Sequence, residues 1–132
     1  MAVSYTQDEK LAAIAEKVIE ENAIFHHLKD ERCRIAYQYS DEQKKNSGKI
    51  VYADTEKIKD KLKGFLPYDF IITFYKPNTE PLSEDKMEKL MNHELRHVGF
   101  DPASGKHTII PHDVEDFRPI INAWGIDWIA QG

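Results

Sequence analysis

Residues 83–99 read Ser83-Glu84-Asp85-Lys86-Met87-Glu88-Lys89-Leu90-Met91-Asn92-His93-Glu94-Leu95-Arg96-His97-Val98-Gly99, and this stretch decides the fold. Ser83 is a good helix N-cap, because its hydroxyl can accept from a backbone N–H of the first turn. Glu84 and Asp85 then place carboxylates at the positive end of the helix dipole. Met87, Leu90, Met91, Leu95 and Val98 recur at helical spacing and form one apolar stripe. Gly99 fits a C′ stop. The spacing predicts a helix of about four turns with His93, Glu94 and His97 in its last turns.

On a helix, residues four apart share a face, one turn above each other. His93 and His97 can therefore offer two imidazole nitrogens to one metal ion. Glu94 is rotated by about 100° from His93, so it stands beside the ion, where a general base must be to take a proton from attacking water. This is the H-E-x-x-H spacing of zinc peptidases. The pattern fixes only three residue types and this chain is rich in His and Glu, so its weight comes from the helix signals around it.

A catalytic zinc takes three protein ligands and keeps one position open. The third ligand must come from beyond His97 or from another element, with His107, His112, Glu115 and Asp116 as the nearby candidates. His112 is favoured, since a neutral imidazole suits zinc and Pro111 fixes its entry path. Glu115, one turn into the last helix, is the gluzincin-like alternative, and Asp116 a further one. Asp113 or Asp116 is then placed to accept the other N–H of a ligating histidine. His107, in the Gly105-Lys106 region, is expected to face solvent. The metzincin extension is excluded, because Phe100 and Ala103 stand where it needs Gly and His.

Outward from the motif, Thr6 and Glu9 form a capping-box pattern opening a first helix that ends near Asn22. Residues 23–30 are a connector. Its adjacent His26 and His27 point in different directions on any regular backbone, so both are read as structural or solvated. Residues 32–39, 49–53 and 70–75 read as strands, the last being the strongest with Phe-Ile-Ile-Thr-Phe-Tyr. Asp54 or Thr55 is expected to cap a short helix to about Lys63, with Ile58 and Leu62 on its apolar face. Residues 41–48 and 76–81 read as loops, as does the stretch after Gly99 through Gly105. Residues 108–110 form a short strand, and a last helix runs from His112 or Asp113 to about Trp124. Trp124, Ile126, Trp128 and Ile129 make an apolar C-terminal segment, expected to pack on the core. Arg96 is expected on the far side of the motif helix in a salt bridge.

With 132 residues the chain is expected to be one domain, residues 1–132, with one ordinary core. Its net charge of −5, with acids and bases interspersed, argues against nucleic-acid binding. Cys33 is the sole cysteine, so no intrachain disulfide forms, and its place in a strand-like run reads as a small buried residue. The N-terminus has no basic n-region followed by an apolar h-region, and no apolar run approaches the roughly 20 residues needed to span a bilayer. The expectation is a cytoplasmic protein without a membrane partner. The oligomeric state is not given by sequence.

The run His93-Glu94-Leu95-Arg96-His97-Val98-Gly99, followed by His112-Asp113-Val114-Glu115-Asp116-Phe117, resembles the phage-type metallopeptidase family. These are small zincin-like domains of phages and prophage regions. The resemblance extends from about Cys33 to Trp124, with its specific content in the two quoted segments. It implies a minimal zincin fold, a zinc ion, peptidase activity, and His93, His97 and Glu94 as ligands and base. It does not fix the third ligand.

The reading is therefore an α+β, minimal zincin-like domain. A mixed or antiparallel sheet of three to four strands packs against the H-E-x-x-H helix and the N-terminal helix. Zinc on His93, His97 and His112 would serve hydrolysis of a protein or peptide substrate, with Glu94 as general base. One alternative is a non-catalytic, zinc-containing regulatory or protein-binding module of phage or prophage origin. The other is a zinc-free interaction protein using Trp124 and Trp128. A zinc deaminase is disfavoured, since H-x-E and P-C-x-x-C are absent.

Overall fold

A computed structural model describes residues 3–29 and 33–110 of the chain. In chain order its elements are β1 (Tyr5–Gln7), α1 (Glu9–Glu21), a 3-10 segment (Ala23–Lys29), β2 (Ile35–Ser40), β3 (Lys45–Asn46), β4 (Lys49–Ile50) and β5 (Ala53–Lys57). A 3-10 turn (Asp60–Leu62), β6 (Phe70–Tyr75), α2 (Lys76–Thr79), α3 (Glu84–Leu95), β7 (Val98–Asp101) and β8 (Lys106–Ile109) follow.

The run of β-branched and aromatic residues in β6 makes it an inner strand, paired on both sides. It is parallel to β2, with Ile35 opposite Phe70 and Ser40 opposite Tyr75. On its other side β5 runs antiparallel, with Ala53 opposite Phe74 and Lys57 opposite Phe70. β1 closes the far side of β2, antiparallel, giving the order β1-β2-β6-β5 and leaving β5 at the edge. Alternate side chains of β6, Phe70, Ile72 and Phe74, enter one core with Leu11, Ala15 and Val18 of α1 and Met87, Leu90, Met91 and Leu95 of α3. The architecture is thus α+β, as expected. Cys33 is buried in the same core. No helix among the described residues is long and apolar enough to cross a membrane.

Helix α3 follows its sequence signals. Ser83 caps it, accepting from the Lys86 N–H at 3.3 Å. Its end differs from expectation: the helix closes at Arg96, and Gly99 lies in β7 opposite Thr108. Gly99 leaves room there for the Ile110 side chain. A Cβ at this position would run into the Ile110 side chain, 2.6 Å from its Cγ1.

Other expectations are corrected. Helix α1 is capped by Asp8, whose Oδ1 accepts from the Lys10 N–H at 2.7 Å, and not by Thr6. Thr6 is taken up by the sheet, opposite Tyr39, so the helix can begin only beyond it. The helix expected from 54 to about 63 is replaced by strand β5 and the 3-10 turn. Its apolar face amounted to Ile58 and Leu62, and Leu62 remains 39 % exposed. So small a stripe cannot anchor a helix, whereas pairing with β6 satisfies the backbone groups on the inner side of the strand. The strand expected at 49–53 is divided between β4 and β5, and β3–β4 is a hairpin turning at Ser47 and Gly48, both at positive φ. Finally, residues 98–101 pair with residues 106–109 in a β7–β8 hairpin, so the strand expected at 108–110 is present but begins earlier, and the loop expected after Gly99 narrows to residues 102–105. The single turn of α2 likewise stands within the expected 76–81 loop.

Candidate metal centre

Helix α3 delivers the motif to the sheet edge. His93 and Glu94 lie in its last turn and are 8 % and 3 % exposed. His97 follows the Arg96 cap and is partly exposed. The final turn tightens, with the His97 N–H donating to the Glu94 carbonyl at 3.0 Å. The i, i+4 relation therefore persists past the helix end. The His93 and His97 rings lie 5.3 Å apart, nearly perpendicular at 75°. One ligand atom from each of His93, Glu94 and His97 falls within 4.8 Å of the others. The His93 Nε2 is 3.8 Å from the Glu94 Oε2.

The side chains of His97 and Glu94 are held from outside the helix. The His97 Nδ1 lies 2.6 Å from the Ile110 carbonyl oxygen, and the Ile110 N–H donates to the His97 carbonyl at 2.7 Å. A carbonyl only accepts, so Nδ1 carries the ring proton and the neutral ring keeps its lone pair on Nε2. That tautomer suits a metal ligand, and the backbone carbonyl on the other nitrogen is the usual orienting partner. The Thr55 hydroxyl, from β5, lies 2.9 Å from the Glu94 Oε1 and 3.2 Å from the Glu94 carbonyl. It ties the carboxylate to the sheet edge. Two imidazole nitrogens are donors that fit zinc, and the Glu94 carboxylate stands beside them.

Over residues 3–131 the sequence matches the family described as "Putative phage metallopeptidase". The chain belongs to this family. No curated protein and no solved structure matches it. The family's description brings with it a metal ion and a protein or peptide substrate, and the His93, Glu94 and His97 group is where this family member can hold the ion.

The other expected positions divide. His112, with Glu115 and Asp116, lies outside the described residues, as do Asp113, Trp124 and Trp128. His107 does not face solvent: it is 9 % exposed, with its Nε2 3.2 Å from the His27 carbonyl oxygen and its ring stacked on His27 at 5.3 Å. The β7–β8 pairing turns it inward, against Phe100. His26 is exposed. The Arg96 Nε donates to Asn92 Oδ1 at 2.8 Å, and its guanidinium lies over the Phe25 ring. The Tyr75 hydroxyl donates to Asp54 at 2.6 Å and is also joined by Lys44. Burial, followed by that Asp54 bond, pushes its pKa up to about 12.

Sequence reasoning missed two contributors, Thr55 and the Ile110 carbonyl. In sequence, Thr55 reads with Asp54 as one of two candidate helix caps. The signal that could have found it was the weak helical stripe of residues 54–63 beside a β-branched residue. A backbone carbonyl leaves no signal in residue type.

Proposed function

We propose that this chain acts as a single zincin-like domain, a zinc-dependent peptidase that hydrolyses peptide bonds, with His93, His97 and His112 as ligands and Glu94 as general base. The observation that carries the reading is the clustering of His93, Glu94 and His97 ligand atoms within 4.8 Å, with the His97 ring fixed in a ligating tautomer by Ile110. When bound, zinc supplies Lewis acidity, bringing the pKa of a coordinated water to about 7 and polarising the scissile carbonyl.

The chain's own residues do the rest. Glu94 accepts the proton of the attacking water and delivers it to the departing amine, so one carboxylate serves as base and then acid. Thr55 holds that carboxylate through Oε1, leaving Oε2 directed to the side of His93. The outer edge of β5 offers main-chain N–H and C=O groups, and an extended substrate can add there as a further strand. Main-chain pairing of this kind aligns the scissile bond with Glu94, because Thr55 sits at the middle of the strand.

The test pairs metal analysis with Glu94→Gln. The variant is expected to keep its zinc while peptide hydrolysis falls by roughly 10²–10⁴-fold, the usual contribution of general acid–base catalysis. Hydrolysis at the native rate would reject Glu94 as the base.

A further inference from the structure

A recess opens at the Lys57 end of β5, and nothing in the hydrolytic reading uses it. Its volume is 290 Å³, and Lys57, Lys63, Lys106 and His107 line it together with Asp60 and Asp69. The two carboxylates are already engaged. Lys63 reaches Asp60 at 3.3 Å and Asp69 at 3.4 Å, and Asp69 also accepts from the Arg34 N–H at 2.8 Å. Lys57 and Lys106 have no carboxylate partner among the described residues. The Arg34 guanidinium also stands 4.0 Å from Asp69, so Lys63 and Arg34 balance the two carboxylates, and Lys57 and Lys106 are the excess positive charge of the recess.

Its position follows from the two strands that flank it. On β5, side chains alternate, so Lys57 shares the face of Thr55 and lies about 7 Å further along. Thr55 holds Glu94. On the other wall, β8 begins at Lys106 and leads to Ile110, whose carbonyl holds His97. Both walls thus run from the metal centre to the same lysine pair. A peptide laid along the β5 edge with its scissile bond at Glu94 must pass Lys57 two or three residues later.

We propose that this recess is a specificity subsite for a carboxylate of the substrate, two or three residues from the scissile bond, bound by Lys57 and Lys106. The assignment rests on the peptidase reading for its register but not for its charge preference. The carboxylate has two sources, an internal Asp or Glu side chain or the free C-terminus of the peptide. A neutral or basic residue in this position leaves both ammonium groups unpaired and, if basic, adds like-charge repulsion.

The test is binding of fluorescent eight-residue peptides to the zinc-loaded full chain, read by anisotropy, with hydrolysis followed in parallel. One peptide carries Glu in the subsite position with both ends blocked. A second carries Gln there, and a third is the Gln peptide with a free C-terminus. Tighter binding of the first or the third than the second, by roughly fivefold or more and shrinking with added salt, is expected, and whichever peptide gains identifies the carboxylate's source. Lys57→Glu combined with Lys106→Glu should abolish or invert the preference, while Lys61→Glu, outside the recess, should leave it intact. Equal affinity for all three peptides, or a preference unmoved by the double reversal, overturns the subsite. Carboxylate-selective binding without any cleavage keeps the subsite and counts against the peptidase reading, so the two failures are separate.

Discussion

Thr55 reaches Glu94 from the strand edge, its hydroxyl 2.9 Å from Oε1. A carboxylate that must take and return a proton loses efficiency when it samples several rotamers, because the acid–base step needs the oxygen in hydrogen-bond reach of the water. Thr55→Val keeps the β-branched shape and removes the hydroxyl. Turnover should fall roughly tenfold, with KM and zinc content unchanged, and Thr55→Ser should restore most of it. Loss of zinc along with turnover would instead make Thr55 a residue of the metal site. His97 is held differently, by a main-chain carbonyl that no side-chain substitution removes. The closest handle on it is Gly99, whose missing Cβ gives the Ile110 side chain its space.

At the scale of elements, the strongest local patterns survived folding. The Ser83 cap, the acidic first turn and the Met87, Leu90, Met91 and Leu95 stripe all belong to α3, and Phe-Ile-Ile-Thr-Phe-Tyr is β6. In these segments propensity, periodicity and burial agree. The misassigned segments lack that agreement. Ala53–Lys57 has no continuous apolar face and becomes a strand only because β6 has an open side to be paired, a long-range demand that local sequence does not carry. Thr6 and Asp8 are both competent caps, and the choice fell to Asp8 because the β1 ladder consumes Thr6. That choice is measurable. Asp8→Ala should cost about 0.5–2 kcal/mol in denaturant unfolding, the usual worth of an N-cap, with an unchanged m-value. A null effect would return the cap to another residue. The site was legible for the opposite reason to β5. His93 and Glu94 sit in the last turn of one helix and His97 follows directly after its cap, so their juxtaposition is local, while Thr55 and Ile110 arrive from elements whose placement depends on the whole sheet.

For the whole molecule, His27 joins the 3-10 segment to the β7–β8 hairpin, stacked on His107 at 5.3 Å with its Nδ1 buried and lacking a hydrogen-bond partner in the described structure. Burial first, and the charge of His107 second, hold the His27 pKa below its ordinary 6.5. Above that ordinary value the ring is neutral in both folded and unfolded chains and contributes no pH dependence. As pH falls below it, the unfolded chain binds the proton while the native ring resists, so the folded state loses stability until the pH reaches the lowered native pKa. Global stability should therefore decline from about pH 6.5 downward, before the carboxylates titrate. His27→Phe, which keeps a ring to stack but removes the proton site, should flatten this part of the curve. An identical slope in the variant would place the titrating group elsewhere.

The proposed centre requires His93 and His97 to grip a divalent ion beside Glu94. X-ray absorption at the zinc edge of the zinc-loaded protein tests this most directly. The predicted spectrum has imidazole nitrogen scatterers at about 2.0–2.1 Å, reduced in number by His97→Ala. A native spectrum dominated by sulfur at about 2.3 Å, or one that His97→Ala leaves unchanged, would contradict it.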